Sequence, residues 1–388
     1  MTEQRPFAAL LETARALRPR LLTEHERIEA GRQLPDDLAR DLARAGFFRI
    51  WLPAAYGGLD LTPMEGLAIY EELARAEASV AWCVWNANTN WTTARLAEVA
   101  ARELFADPDA FFANSTQPKG QAVVVEGGYR VSGRWSLVSG CQMSLGIALT
   151  SVVFEGAAPR QTAAGVPELR FMHCATADCA IIDTWTAGGL RGTGSHDLVV
   201  EDLFVPDLYS SWHTDPLVLP GDEYRFGTSF RVVPGLGAVA LGIARGAIEA
   251  LVELGGAKRP QASERALAED PRAQAGLAQA DALVRAARLF LFDAVGTLWY
   301  EVMAGRPGTP EQRAQILQAS YHAAAAAADA VDCVQRLSGA TALYTSSPLE
   351  RAFRDVHTVT QHIGVHPRQL ERTGKVLFGL EPDPMLRG

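Results

Sequence analysis

The sequence is short of cysteine, of surplus positive charge and of any nucleotide-loop signature, and each shortage removes a class of protein. The five cysteines, Cys83, Cys141, Cys174, Cys179 and Cys333, are odd in number and scattered, so they offer neither a disulfide framework nor a CxxC metal clip. They read as reduced thiols. A net charge of −9 argues against a nucleic-acid partner, which needs clustered Lys and Arg to release counterions. The opening stretch MTEQRPFAALLETARAL has no basic segment followed by an apolar core and a cleavage site, and no later stretch reads as long and apolar enough to span a bilayer. A cytoplasmic protein with no membrane partner is the expectation. No Walker sequence and no GxGxxG that opens a helix is present, which leaves no obvious nicotinamide site.

What the chain does have is apolar content, 48% of 388 residues, ample for a sizeable core. Its periodicity divides it in three. Over residues 1–110 apolar positions recur at helical spacing, interrupted by Pro35, by PAAYGG at Pro53 to Gly58 and by Pro63. Over 111–230 the period becomes two, in RVSGRWSLVS after the Gly127–Gly128 turn, GIALTSVVFE, LRFMHC and DLVVEDLFV, and short antiparallel strands are expected. Over 231–388 the helical period returns, with long runs at 235–255, 271–303 and 309–337 and an alanine-rich face from His322 to Ala330 that suits close helix packing. The spacing predicts an α+β fold: a helical domain, a central antiparallel β-domain and a C-terminal helical bundle. Strands confined to the middle make a doubly wound nucleotide fold improbable.

Near the end, Ser347, Pro348 and Glu350 supply an N-cap, a first-turn proline and a capping-box glutamate. The helix they open carries Leu349, Phe353, Val356, Thr360 and Ile363 along one side, with Gly364 and Pro367 as stop signals. His357 and His362, five apart, point about 140° away from each other around that axis. Of the local histidines only His362 and His366 have ligand-like spacing, and Gly364 and Pro367 interrupt the helix there, so no metal site is expected. In AWCVWNANTNWTT, Trp82, Trp85, Asn86, Thr89 and Thr93 recur at three and four residues, mixing rings and hydrogen-bonding groups on one face. Such a face suits either a pocket for an aromatic substrate, with Trp85, Asn86 and Thr89 as contacts, or a helix packed on the β-domain.

The run GGLRGTGSHDLVVEDLFVP at Gly188 to Pro206, PAAYGG, and SSPLERAFRDVHTVTQH resemble signatures of the acyl-CoA dehydrogenase superfamily. More closely they resemble its flavin-dependent monooxygenase branch, which includes 4-hydroxyphenylacetate hydroxylase oxygenase components and dibenzothiophene monooxygenase. The resemblance covers nearly the whole chain. It implies a C-terminal four-helix bundle and a flavin lying between the β-domain and that bundle. It also sets the dehydrogenases' catalytic glutamate position on Ile363, and an alternative carboxylate position near Gly237 to Ala240, where no acid stands. Abstraction of a thioester α-proton requires a positioned base, so dehydrogenation is disfavoured.

In that branch a histidine at the place of His362 faces the oxygen-bearing carbon of the flavin. With an ordinary pKa of about 6.5 it can hydrogen-bond the peroxide or accept a phenolic or indolic proton. A satisfied bundle histidine is the plain alternative; His357 reads as structural, and His366 as a solvent or subunit contact. WSLVSG resembles the strand passing flavin N5, making Ser139 and the backbone of Val138 candidates there. FFANSTQP resembles a flavin-lining loop, which adds Asn114, Ser115 and Thr116. Trp185 resembles a tryptophan packed on the flavin ring. Lys258, Arg259 and Ser263 stand where relatives bind phosphate, sometimes on a neighbouring subunit.

The resemblance thus implies the oxygenase component of a two-component monooxygenase. It would take reduced FMN or FAD from a separate NAD(P)H-dependent flavin reductase and, through a flavin C4a-hydroperoxide, hydroxylate a small aromatic or polyketide-like substrate, as a homotetramer. An FAD-dependent acyl-CoA dehydrogenase or oxidase with a relocated base, and a non-catalytic binding subunit, remain the alternatives at this point.

Overall fold

Ten helices and eight strands follow one another in three blocks in the computed structural model, which describes residues 6–261 and 263–386. Residues 1–5, Ala262 and residues 387–388, all inside the expected outer domains, lie outside the described residues. The first block holds α1 (Pro6–Gly31), α2 (Asp36–Arg44), α3 (Pro63–Ala74), α4 (Ala78–Ala87) and α5 (Glu98–Leu104). α3 starts at Pro63 because Thr62 and Glu65 form a capping box that satisfies two free backbone N–H groups. α4 ends at Asn88, whose side chain donates to Val84 O at 2.6 Å and Phe47 O at 2.8 Å. The single face expected from Trp82 to Thr93 is therefore cut. Thr89 opens a separate 3-10 turn, Asn90–Arg95, with its own direction.

The second block is one sheet built of β1 (Phe112–Val125), β2 (Gly128–Val138), β3 (Gly146–Glu155), β4 (Ala158–Pro159), β5 (Leu169–Ala175), β6 (Ala180–Ile182), β7 (His196–Pro206) and β8 (Ser210–Ser211). Its order is β6-β7-β2-β1-β3-β5-β8, with β4 beside β3. The sheet is mixed, which corrects the all-antiparallel expectation: β3 crosses over and pairs parallel with β1. A second correction concerns FFANSTQP, expected as a loop, most of which forms the start of β1. Gly120 and Gly133 face each other across β1 and β2, and a Cβ on Gly120 would sit 2.0 Å from the Trp135 ring; the glycines make room for that indole to lie across the strands. Trp135 is fully buried and donates to Thr150 O at 2.7 Å.

The third block contains α6 (Thr228–Ala257), α7 (Pro271–Met303), α8 (Pro310–Ser338), α9 (Pro348–Thr360) and α10 (Arg368–Leu377). α6 begins seven residues before the expected run, continuing through Pro234. It is also long and apolar enough to cross a membrane by length and composition, contrary to the reading of the sequence, but 72% of its most apolar window is buried inside the fold. Its apolarity is used by the core. Gly242 and Gly246 let it meet the α3 backbone, since a Cβ at either would lie within 2.5 Å of a carbonyl oxygen of Glu71 or Arg75. On the other side α8 buries Ala323, Ala324, Ala326, Ala327 and Ala330. Near the start of α6 the buried Arg231 guanidinium sits 5.5, 5.3 and 5.6 Å from the rings of Trp51, Trp91 and Trp299, bracing α6 between the first block and α7.

At α9 the Ser347 cap is present and accepts from Leu349 N, but Glu350 pairs with Arg354 instead of closing a capping box. The helix ends at Thr360, short of Ile363, which is 63% exposed. His362 therefore belongs to the following 3-10 turn, Ile363–Val365, as its cap, and the 140° offset from His357 does not describe it.

Candidate active site

α4 is the spine of the site. Trp82, Trp85 and Asn86 occupy i, i+3 and i+4, one face of one helix, and each reaches a different element. Trp82 Nε1 donates to Ser139 Oγ at 3.0 Å at the end of β2. Trp85 Nε1 donates to Val232 O of α6 at 2.9 Å, its ring accommodated by Gly235. Asn86 accepts from Asn114 Nδ2 of β1 through both its backbone and side-chain oxygens, at 2.7 and 2.9 Å. The His362 ring closes the group, edge-on to Trp82 at 5.8 Å and to Trp85 at 5.7 Å between centroids. Sheet, first-block helix and bundle meet here.

Ser139 is aimed by a β-bulge. The β2–β7 register shifts between Trp135 and Val138, and Leu137 takes a left-handed φ of 60° with its side chain 56% exposed. Beyond the bulge Val138 is fully buried and Ser139 is 3% exposed. Ser139 Oγ lies 2.7 Å from Ser195 Oγ, which lies 2.7 Å from Thr193 Oγ1, and Thr193 Oγ1 donates to Leu190 O at 2.8 Å. The glycine-rich run forms this turn, as expected from its entry into a strand. Gly194 adopts a φ of +52°, and Gly140 N donates to Thr193 O at 2.7 Å, zipping the two loops together. α9 grips the same turn: Leu190 N donates to Asp355 Oδ1 at 2.6 Å, and Gly189 leaves no room for a Cβ against Arg354 O.

His362 departs from an ordinary histidine in two ways. Its Nδ1 accepts from Gly364 N at 3.0 Å, so the neutral ring carries its proton on Nε2. Partial desolvation, with the ring packed against the two indoles, lowers its pKa to about 4. At neutral pH the ring is therefore neutral, with Nε2–H left to donate toward the site, and it does not titrate near the ordinary 6.5.

The remaining expected residues divide. Ser115 is buried, its carbonyl accepting from Thr150 Oγ1 at 2.8 Å, whereas Thr116 is exposed. Trp185 packs outside the cluster, donating to the carbonyls of Leu190 and Arg191 at 3.2 and 3.1 Å, with its own N–H directed to His196 Nδ1. Its connection to the cluster is by way of the Leu190 turn. Thr89 is half-buried at the start of the 3-10 turn beyond α4. Arg259 and Ser263 are exposed beyond the C-terminal end of α6, whose Lys258 donates to Ser338 O and Thr341 Oγ1. Since Val232 marks the site, these residues lie roughly 40 Å along the helix at 1.5 Å per residue and cannot serve it within one chain. His357 pairs with Asp332 at 2.9 Å, and His366 is exposed. Among the described residues no group of three or more His, Cys, Asp or Glu is placed to hold a metal ion.

Sequence reasoning passed over Thr193, Ser195 and Asp355. The signal was present as two hydroxyls flanking a glycine within a turn, and as an acid four residues after an arginine among the apolar positions of α9. Asp355 is buried beside Glu77, and that burial pushes its pKa up to about 7. Glu77 in turn accepts from Ser79 N at 3.1 Å and lies 3.7 Å from Arg351. Asp355 is held by Leu190 N and Glu77 by Ser79 N, with Glu77 Oε2 facing Arg351 but without a hydrogen bond, and the positions around Gly237 to Ala240 and at Ile363 offer no acid. The set as a whole comprises indole edges, a hydroxyl acceptor, a neutral N–H donor and a buried amide. These are the chemical groups that complement a planar, mostly uncharged heteroaromatic ring with a polar edge.

Residues 7–104 match the family of the acyl-CoA dehydrogenase N-terminal domain, and residues 234–367 that of an acyl-CoA dehydrogenase C-terminal domain. The chain is 32% identical over 351 residues to an indole-3-acetate monooxygenase of Acinetobacter baumannii, covering 90% of this chain and 88% of the relative. It is 32% identical over 379 residues to HsaA of Rhodococcus jostii, described as the oxygenase subunit of a flavin-dependent monooxygenase, covering 94% and 97%. Among solved structures, XiaF from a Streptomyces species, in complex with FADH2 and glycerol, superposes with a TM-score of 0.88 at 25% identity, covering 97% and 96%.

Proposed function

The chain belongs to the acyl-CoA dehydrogenase family, in its flavin-dependent monooxygenase branch, and from that premise we propose that it is the oxygenase component of a two-component system. A separate NAD(P)H-dependent reductase supplies its reduced flavin, FMN or FAD, and the substrate is a small aromatic compound hydroxylated in the cytoplasm. Relatives named for an oxygenase subunit support the division of labour, and the relative named for indole-3-acetate supports an aromatic substrate. The observation that carries the reading is the pairing of a neutral imidazole donor with a site that lacks a carboxylate base.

Bound reduced flavin supplies the activation of dioxygen. The chain's own residues do the rest. Trp82 and Trp85 offer apolar ring surface and exclude water from one side. Asn114, fixed by Asn86, holds β1 against α4 so that the walls keep their spacing. Ser139 sets the polar edge, and His362 Nε2–H donates to an oxygen or substrate acceptor in front of it. Dehydrogenation of a thioester would need a base that none of these groups supplies. Two exposed apolar side chains on one side of α7, Leu289 and Tyr300, about 20° apart around the axis, are consistent with assembly with further copies, proposed as a homotetramer.

The test is direct. Protein given reduced flavin, isotopically labelled dioxygen and a panel of phenols and indoles should yield a product carrying one labelled oxygen. Flavin reoxidation with no labelled product across that panel, together with reduction of bound flavin by an acyl-CoA, would overturn the reading.

A further inference from the structure

The chain of hydroxyls behind the site has one possible direction. At one end stands Trp82 Nε1, which can only donate; at the other stands Leu190 O, which can only accept. Three hydroxyls, Ser139, Ser195 and Thr193, lie between them with one proton each. Thr193 must give its proton to Leu190 O, so Ser195 must give its proton to Thr193, and Ser139 must give its proton to Ser195. All three protons are committed. Ser139 accepts from the indole with one lone pair and retains only a second lone pair to offer a ligand.

We infer that Thr193 and Ser195 are positioning residues that make Ser139 an obligate hydrogen-bond acceptor, and that the site thereby selects the reduced state of its flavin. The inference rests on the proposal that the site holds flavin beside Ser139. A reduced flavin carries an N–H on its central ring where the oxidised form carries a nitrogen lone pair. The first is complementary to an acceptor; the second meets it lone pair to lone pair. The device is held rigidly, because Leu190 O also accepts from Thr193 N and Trp185 Nε1 while Leu190 N is held by Asp355. An oxygenase fed by a separate reductase is served by such selection, since spent oxidised flavin is released and reduced flavin is retained.

The variants predict a gain of binding, not merely a loss. In Thr193→Val the Ser195 proton loses its acceptor and turns to Ser139, whose own proton is freed toward the flavin; in Ser195→Ala the Ser139 proton is freed directly. Oxidised FMN and FAD are titrated by fluorescence quenching, and the reduced forms anaerobically by equilibrium dialysis. Wild type should prefer the reduced form. Both variants should bind the oxidised form about three- to tenfold more tightly, the range of one net neutral hydrogen bond. Thr193→Ser, which keeps the hydroxyl, should match wild type. A reduced-state preference in wild type that is unchanged in both Thr193→Val and Ser195→Ala would overturn the inference and leave the flavin reading standing. Binding of neither flavin form by wild type would overturn both. Two variants at different links keep the test decisive where one fails to fold.

Discussion

Replacing His362 separates two chemistries that a histidine near a flavin can perform. The ring is oriented by Gly364 N on Nδ1 and packs edge-on against two indoles that touch each other, and its pKa falls to about 4. At pH 7 that value leaves roughly one ring in a thousand protonated, against about a quarter for an unperturbed histidine. Its contribution is therefore a neutral Nε2–H bond, present throughout the physiological range. We expect His362→Ala to lower the yield of hydroxylated product per oxygen consumed by about 10- to 100-fold, between the net effect of one neutral hydrogen bond and the loss of a full preorganised donor. His362→Asn, which restores an N–H donor on a shorter stem, should recover part of that loss. The assay is product formation with reduced flavin supplied in excess, followed from pH 5.5 to 8.5. Wild type should show no inflection near 6.5 that is lost on replacing His362, whatever titration Asp355 contributes near 7. An inflection there that disappears in His362→Asn would show a ring titrating as it does in water, and the donor argument would fail.

Four further outcomes follow from the packing. His173, buried in β5 with its pKa lowered to about 4 by desolvation, binds fewer protons folded than unfolded between pH 4 and 6.5, so stability should fall as pH drops through that window. Urea unfolding at pH 7.5 and 5 should lose about 2 kcal/mol less in His173→Gln than in wild type; equal losses would refute it. Asp355 has the opposite sign: its raised pKa makes stability decline as pH rises from about 4 to 7, and Asp355→Asn, measured by thermal unfolding at pH 6 and 8, should flatten that decline. Gly189→Ala should lower stability by about 2 kcal/mol or more by forcing the turn off α9, and an unchanged melting temperature would contradict the close approach. Trp85→Phe keeps an aromatic ring but removes the indole donor to Val232 O and part of the buried ring, so denaturant unfolding should show a loss of about 1 kcal/mol or more.

Periodicity was a reliable guide wherever burial alone determines the element. The change from helical to twofold spacing, the bounds of α7 and the strands around Trp135 and Val199 follow from which faces are apolar. It failed where a polar side chain or a crossover decides. Asn88 ends α4 by capping Val84, so Thr89 left the face that spacing assigned to it. The parallel pairing of β1 with β3 depends on the path of the Ser139 to Leu145 loop, which no local pattern encodes. Of the site, the aromatic and amide stripe at 82, 85 and 86 was legible because it lies on one helix. The hydroxyl chain was not, because its members come from loops far apart in sequence. The tautomer and depressed pKa of His362 depend on one backbone N–H and two rings brought in by folding, and a residue type carries neither.

α9 clasps the Leu190 turn through Asp355, and the chain leaving its end at Thr360 brings His362 to the indoles as the cap of the next short turn. That makes the seven-residue interval between them a ruler. A single inserted residue would advance the imidazole by about 1.5 Å and swing it by about 100°, uncoupling it from the indoles while the carboxylate stayed in place. The number of helical residues between the clasp and the imidazole thus bears on the site as directly as the identity of the residues that form it.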